Sequence, residues 1–266
     1  MQLHSLNTQF SWTTPTGPFQ IISDAQAQAY GEDGGFILTD AFTQPQIQAV
    51  IDAIDPLEAE SVAFLRTRKD QKFGIARAED IIFSPHLVAR SGLLADFSRH
   101  PVFQALCADL IGPDVRLYWD QLVYKKPATP DEFPWHQDNG YTYLEPQQYL
   151  TCWLALTDAT LDNGCPWILP GMHRRGTFAH QWTDLGFSCV QAPEGARALE
   201  LKAGSIAVFS SLTPHRTGPN LTDATRKAYI LQYAADGAVM HPHGKPPQPA
   251  SNPDWQYPIL RQGQPA

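Results

Sequence analysis

The chain changes its hydrophobic rhythm once, near Pro113. Before that point apolar residues recur at helical spacing. In PQIQAVIDAI, Ile47, Val50, Ile51 and Ile54 share one face of a helix. Ser23-Asp24 predicts a capped helix through Tyr30, stopped by Gly31 and by Gly34-Gly35. FILTD then reads as a short strand. Residues 86–111 show further helical patches, with Pro101 opening the one that carries Phe103, Leu106 and Leu110. After Pro113 the runs shorten: VRLYWDQLVYKK, QYLTCWLAL, PWILP, SIAVFS and KAYILQYAA are rich in β-formers. Turn signals separate them at Asp162-Asn163-Gly164, Pro170-Gly171, Ala203-Gly204 and Thr213-Pro214.

These patterns predict an α+β, mainly β chain. A helix-rich part over 1–112 covers a double-sheet sandwich or jelly roll over 113–239, and a proline-rich tail over 240–266 wraps as an extended segment. There is no internal repeat, and 1–266 is expected to form a single domain. A chain of 266 residues can build a substantial core, and its 43% hydrophobic and 17% charged residues fit a globular protein.

Charge then removes partners. A formal net charge of -8 gives no global attraction to nucleic acid or to anionic lipid. The N-terminus lacks a basic head followed by an apolar core, and no apolar run is long enough to cross a bilayer. Cys107, Cys152, Cys165 and Cys189 form neither a CxxC pair nor a disulfide framework, so reduced thiols and a cytoplasmic location are expected.

Candidate chemistry begins at FPWHQDNGYTYLEPQQY. His136 and Asp138 are two apart, so an extended backbone aims a ring nitrogen and a carboxylate at one point. His215, in SSLTPHRTGPN, follows the strand SIAVFS, and Arg226 stands eleven residues later, before the strand KAYILQY. A hairpin between these segments is expected to bring Arg226 close to His215. Two imidazoles and one carboxylate suit one face of iron(II), leaving positions open for a co-substrate and O2. Arginine presents a planar fork that matches a carboxylate. A dicarboxylate such as 2-oxoglutarate could chelate the metal and reach Arg226, with Thr217 adding a hydroxyl contact.

WHQD, the stretch Asn163–His173 (NGCPWILPGMH) and H-R-T followed by Arg226 together resemble the phytanoyl-CoA dioxygenase family of iron(II)/2-oxoglutarate oxygenases. The resemblance runs from YGEDGGFIL to RKAYILQY. It implies a double-stranded β-helix (jelly roll) core with flanking N-terminal helices. It also implies His136, Asp138 and His215 as iron ligands, and Arg226 on the far carboxylate of 2-oxoglutarate. Tyr141 and Trp153 match family positions beside the co-substrate, although Trp153 also reads as core. Such families often carry a lysine on the strand before WHQD; Lys126 is taken for that role, with Lys125, Asp120 and Gln121 competing, because a one-residue slip reverses the inward face. Asp138 stands where related halogenases have a small residue, so hydroxylation or another oxidation is expected rather than halogenation.

The implied activity is oxidation of a C–H bond of a small molecule, with release of succinate and CO2. The alternatives are a non-catalytic jelly-roll protein that binds metal or a small molecule, and a metal-dependent hydrolase. His173 is expected to make a structural hydrogen bond, and His241 and His243 are expected to be non-ligands. Trp135, Tyr141, Tyr143 and Trp182 are candidates for a substrate pocket, while Arg174 and Arg175 read as a solvated pair.

Overall fold

Gly34 ends the first helix and turns the chain into the largest sheet. The computed structural model describes residues 1–266. Helix α1 (Asp24–Asp33) starts at a capping box in which Ser23 and Gln26 satisfy each other's backbone N–H groups. It runs through Gly31, where a stop was expected, and ends at Gly34 in the left-handed region (φ 89°). Gly31 is buried against the N-terminal segment, where a Cβ would lie 3.0 Å from Thr14 Cγ2. Helix α2 (Gln44–Thr67) extends far beyond its amphipathic run and buries Ile47, Val50, Ile54 and Leu65. Helices α3 (Gly92–Phe97) and α4 (Pro101–Leu110) complete the layer, with Pro101 in the first turn of α4.

The site is framed by β1 (Gly35–Leu38), β2 (Ile81–Pro85), β3 (Val115–Lys125), β4 (Phe133–His136), β5 (Leu150–Ala155), β6 (Pro166–Ile168), β7 (Ile206–Ser210), β8 (His215–Thr217) and β9 (Arg226–Ala235). The large antiparallel sheet has the order β1-β7-β5-β9-β3-β2 and continues into the short strands Ala76–Arg77 and Lys72–Phe73. The small sheet runs Arg197–Ala198, β6, β8, β4. The two sheets face each other as a double-stranded β-helix, and 31% of residues are in strands against 23% in helices, so the chain is mainly β.

The part over 1–112, expected to be helix-rich, also contains the strands Lys72–Phe73, Ala76–Arg77 and β2, which prolong the large sheet beside β3. The link from His215 to Arg226 is an arch, not a hairpin: β8 pairs with β4 and β6, whereas β9 pairs with β3 and β5. Asn220 holds this crossing, its fully buried amide donating to the carbonyls of Lys125, Lys126 and Ala224. The tail behaves as a wrap. Val239–His241 pairs with Tyr143–Glu145, and Pro258–Arg261 lies along the start of β3 with Ile259 and Leu260 buried.

Alternation divides the core. Leu122, Tyr124, Cys152, Leu154, Tyr229 and Leu231 point from the large sheet to the helices. Val123, Trp153, Ala155, Ala228 and Ile230 point the other way, toward Ile168 of the small sheet. Truncating a fully buried residue such as Phe103 to Ala costs roughly 3–5 kcal/mol.

Candidate active site

The inward face of the large sheet is read along three neighbouring strands. Gln232 stands opposite Thr151, Ile230 lies between Trp153 and Gln121, and Arg226 faces Lys125 across β9 and β3. From the small sheet, His136 ends β4 and His215 begins β8, and the two are register partners. Asp138 opens a single 3-10 turn (Asp138–Gly140) immediately after β4.

This brings the expected triad together. Asp138 Oδ1 lies 3.8 Å from His136 Nε2 and 3.7 Å from His215 Nε2. One potential ligand atom from each residue falls within 4.8 Å of the others. His136 Nδ1 is 2.8 Å from the Pro134 carbonyl, and His215 Nδ1 is 3.0 Å from the Thr213 carbonyl. A carbonyl only accepts, so each Nδ1 carries the proton and each Nε2 presents a lone pair. Burial, reinforced by the neighbouring His215, lowers His136 to about 3, and burial lowers His215 to about 4. Both imidazoles are therefore neutral at pH 7. Burial raises Asp138, opposed by His136 and by hydrogen bonds from Thr151 and Gln232. Thr151 Oγ1 donates to Asp138 Oδ2 at 2.6 Å, leaving Oδ1 turned to the histidines. Two neutral imidazole nitrogens and one carboxylate oxygen form the donor set of a two-histidine, one-carboxylate iron(II) site, and these residues fit that metal.

Arg226 is buried and has no ion-pair partner. Its Nη1 donates to the Val123 carbonyl at 3.1 Å, while Nε and Nη2 have no partner. The guanidinium lies over Trp153, 5.0 Å from the ring centroid. Burial lowers its pKa to about 10, so it remains a cation at neutral pH. A buried cation with two unmet N–H groups is costly unless an anion joins it. Arg226 thus fits one carboxylate of a dicarboxylate co-substrate.

A cavity of about 400 Å³ opens over the triad. Thr217, Trp153 and Tyr141 line it, whereas Arg226 lies against Trp153 rather than on the cavity surface. Tyr141 meets His136 edge-on at 5.4 Å between centroids. Gly186 makes room for it (φ 123°): a Cβ there would lie 2.9 Å from the Tyr141 hydroxyl oxygen.

A profile of the phytanoyl-CoA dioxygenase family matches residues 30–228. The chain belongs to this family. A relative from Arabidopsis thaliana, named phytanoyl-CoA dioxygenase, is 31% identical over 145 residues, covering 52% of this chain and 51% of its own. The chain thus spans about half the length of the curated relatives it matches. Among solved structures, it is similar to the alpha ketoglutarate dependent carbocyclase SnoK from nogalamycin biosynthesis. That match has TM-score 0.68 and 22% identity over 86% of this chain and 91% of SnoK. It is also similar to EvdO2 from Micromonospora carbonacea var. aurantiaca, solved with 2-oxoglutarate, with TM-score 0.64 and 21% identity over 89% and 98% of the two chains.

Lys126 does not join the family fold's inner face. It points outward and forms an ion pair with Glu58 of α2. Lys125 turns in with Val123 and Gln121, its Nζ donating to the carbonyls of Asp131 at 3.1 Å and Gly218 at 2.5 Å. Burial and the Arg226 charge lower Lys125 to about 7. Asp120 faces the helices, where its carboxylate accepts from the Val88 N–H and the Tyr229 hydroxyl. His173 is structural: buried against Trp12 at 4.3 Å, with Nε2 3.3 Å from the Gly31 carbonyl. His241 lies 3.6 Å from Glu145 and away from the triad. Arg174 is exposed, as a solvated residue should be, yet its side chain also donates to the Gly31 carbonyl.

Of the four aromatic pocket candidates, Tyr141 alone lines the cavity. Trp135 carries Arg216, Tyr143 stacks on His4, and Trp182 is 57% exposed. Thr151 and Gln232 were missed. Thr151 was recoverable, since it shares a face with Trp153 in YLTCWLAL.

Proposed function

We propose that the chain is an iron(II)- and 2-oxoglutarate-dependent oxygenase that hydroxylates or otherwise oxidises a C–H bond of a small molecule, releasing succinate and CO2. The observation that carries this reading is the pairing, on one inner face, of an open His136–Asp138–His215 donor set with a buried arginine lacking an anion. Iron, when bound, would supply O2 activation coupled to oxidative decarboxylation of 2-oxoglutarate. His136 and His215 would hold it through Nε2, and Asp138 through Oδ1. Thr151 keeps the carboxylate from rotating. Arg226 offers a fork to the distal carboxylate of 2-oxoglutarate, with the Thr217 hydroxyl beside it and Lys125 as a second buried cation. Tyr141 and Trp153 pack the cavity wall and exclude water from the reacting end. The 2-oxoglutarate in the EvdO2 structure and the co-substrate named for SnoK support this assignment.

Residues 1–266 are read as one oxygenase domain acting on a small-molecule substrate, without nucleic-acid or membrane partners. No helix is long and apolar enough to cross a membrane, and four free thiols fit a cytoplasmic location. The test is a succinate assay with Fe(II), 2-oxoglutarate and O2 over a compound panel. Succinate that requires all three components is the expected result. Full activity with zinc and no O2 would favour a hydrolase, and metal binding without succinate would favour the non-catalytic alternative.

A further inference from the structure

We propose that the part of the substrate seated over the metal is uncharged and largely apolar, and offers one hydrogen-bond acceptor to the Gln121 amide. This rests on the oxygenase reading for its placement, but its evidence is the cavity wall itself. No lysine, arginine or glutamate lines the cavity; its one acidic residue is Asp138, already committed to the triad. With the metal and Arg226 committed to 2-oxoglutarate, a further charged group buried there would lose its hydration with no opposite charge to replace it. The walls are instead aromatic and aliphatic, including Phe83, Phe133, Tyr149, Trp119 and Ile230.

The polar groups sort by what they already do. Thr151 and Gln232 serve Asp138. Thr217 lies two residues after His215 on the same strand and is assigned above to 2-oxoglutarate. Gln121 is different because its orientation is fixed. The Trp119 indole N–H donates to Gln121 Oε1 at 3.1 Å. An indole nitrogen only donates, so the atom facing it must be the amide oxygen, and the NH2 is left to the cavity without a protein partner. Trp119 and Gln121 are two apart on β3 and share its inward face by ordinary alternation, and a bulge lies just before them. Gln232 aligns with Trp119 and Tyr233 with Leu117, so Tyr118 is the extra residue in β3. The bulge lets Tyr118 and Trp119, consecutive in sequence, both line the cavity.

Size and rim agree. A cavity of about 400 Å³ stands near the low end of the roughly 300–1,000 Å³ typical of ligand pockets. It takes a compact molecule, or the end of a larger one, and cannot enclose a coenzyme A thioester. One wall is the turn Phe73-Gly74-Ile75-Ala76. The segment supplying it, residues 58–80, carries five acidic and five basic side chains and therefore no net pull on polyanions.

The test uses a matched trio of bicyclic probes: 1-indanone, which is neutral with an acceptor; indane, which has none; and indane-1-carboxylate, which is charged. Tryptophan fluorescence, to which Trp119 and Trp153 of the cavity wall contribute, is titrated on the zinc-loaded full chain with saturating 2-oxoglutarate, whose own binding to the zinc-loaded chain is first measured by calorimetry. Keeping Arg226 occupied prevents the carboxylate probe from seating there. Indanone is expected to bind about three- to ten-fold tighter than indane, and the carboxylate at least ten-fold weaker than indanone. Gln121→Leu and Gln121→Glu should each bring indanone within two-fold of indane. Carboxylate binding as tight as indanone, an unchanged preference in both variants, or binding of none of the probes overturns the proposal. If 2-oxoglutarate itself fails to bind, the oxygenase reading falls, while the indanone-to-indane ranking, which does not use Arg226, still decides this inference.

Discussion

Thr151 is a small residue with a large expected effect. Its hydroxyl is the donor that fixes Asp138 Oδ2 at 2.6 Å, and partners of metal ligands typically contribute about 10–100-fold in metal affinity. Thr151→Val keeps the β-branched shape and removes only that hydrogen bond. Calorimetric titration with a divalent metal should show a loss of that order while the melting temperature changes little. Arg226→Met should retain metal binding but weaken 2-oxoglutarate about ten- to a hundred-fold, since a charge-assisted contact contributes roughly 1.5–3 kcal/mol. Its fold should not suffer, because the variant also removes a buried charge with unmet donors. Lys125 adds a pH dependence. Its amine, lowered to about 7, is charged below that pH and neutral above it, whereas Arg226, at about 10, stays charged. Affinity for 2-oxoglutarate should therefore fall between pH 6.5 and 8.5, and Lys125→Met should flatten that slope. A slope unchanged in the variant would take Lys125 out of the anion site.

At the scale of elements, the end of α1 is coupled to His215 of the triad. Gly34 sits at φ 89°, and a Cβ there would lie 2.4 Å from Thr213 Oγ1. Thr213 donates that hydroxyl to the Gly34 carbonyl at 2.8 Å, and its own carbonyl receives His215 Nδ1. Gly34→Ala should cost at least about 1–2 kcal/mol for the left-handed backbone alone, and should also weaken metal binding by displacing the loop that aims His215. Chemical denaturation beside a metal titration checks both parts. A variant that loses stability but binds metal as the parent does would uncouple the helix end from the site. The same scale shows where sequence reading ran out. The strands KAYILQY and QYLTCWLAL were legible from their β-formers. The choice between Lys125 and Lys126 was not, because one residue of slip exchanges the two faces of β3. It is settled by contacts distant in sequence: Lys126 meets Glu58 on α2, and Arg226 stands opposite Lys125. The bulge at Tyr118 has no local signal, since Tyr118 and Trp119 read as ordinary alternation.

Over the whole molecule, the site exists because two sheets meet. The small sheet brings His136 and His215 side by side, Asp138 follows on the next turn, and the large sheet supplies Thr151, Trp153 and Arg226. WHQD was legible because its spacing is local, and His215 and Arg226 because their spacing matches a known pattern. The arch between them was misread as a hairpin: eleven residues can either turn back within one sheet or cross to the other, and only Asn220 and the strand partners decide. The wall built from residues 73–76 was invisible for a similar reason, since nothing in KFGIA marks it as facing a cavity formed sixty residues later. The central claim is that this assembly holds a metal through the triad and 2-oxoglutarate through metal and Arg226 together. Anaerobic calorimetry of 2-oxoglutarate binding to the Fe(II)-loaded chain, compared with His215→Ala and Arg226→Met, tests it most directly. One-to-one binding that is lost without His215 and weakened ten-fold or more without Arg226 is expected; equal binding by all three proteins, or none by the parent chain, would contradict it.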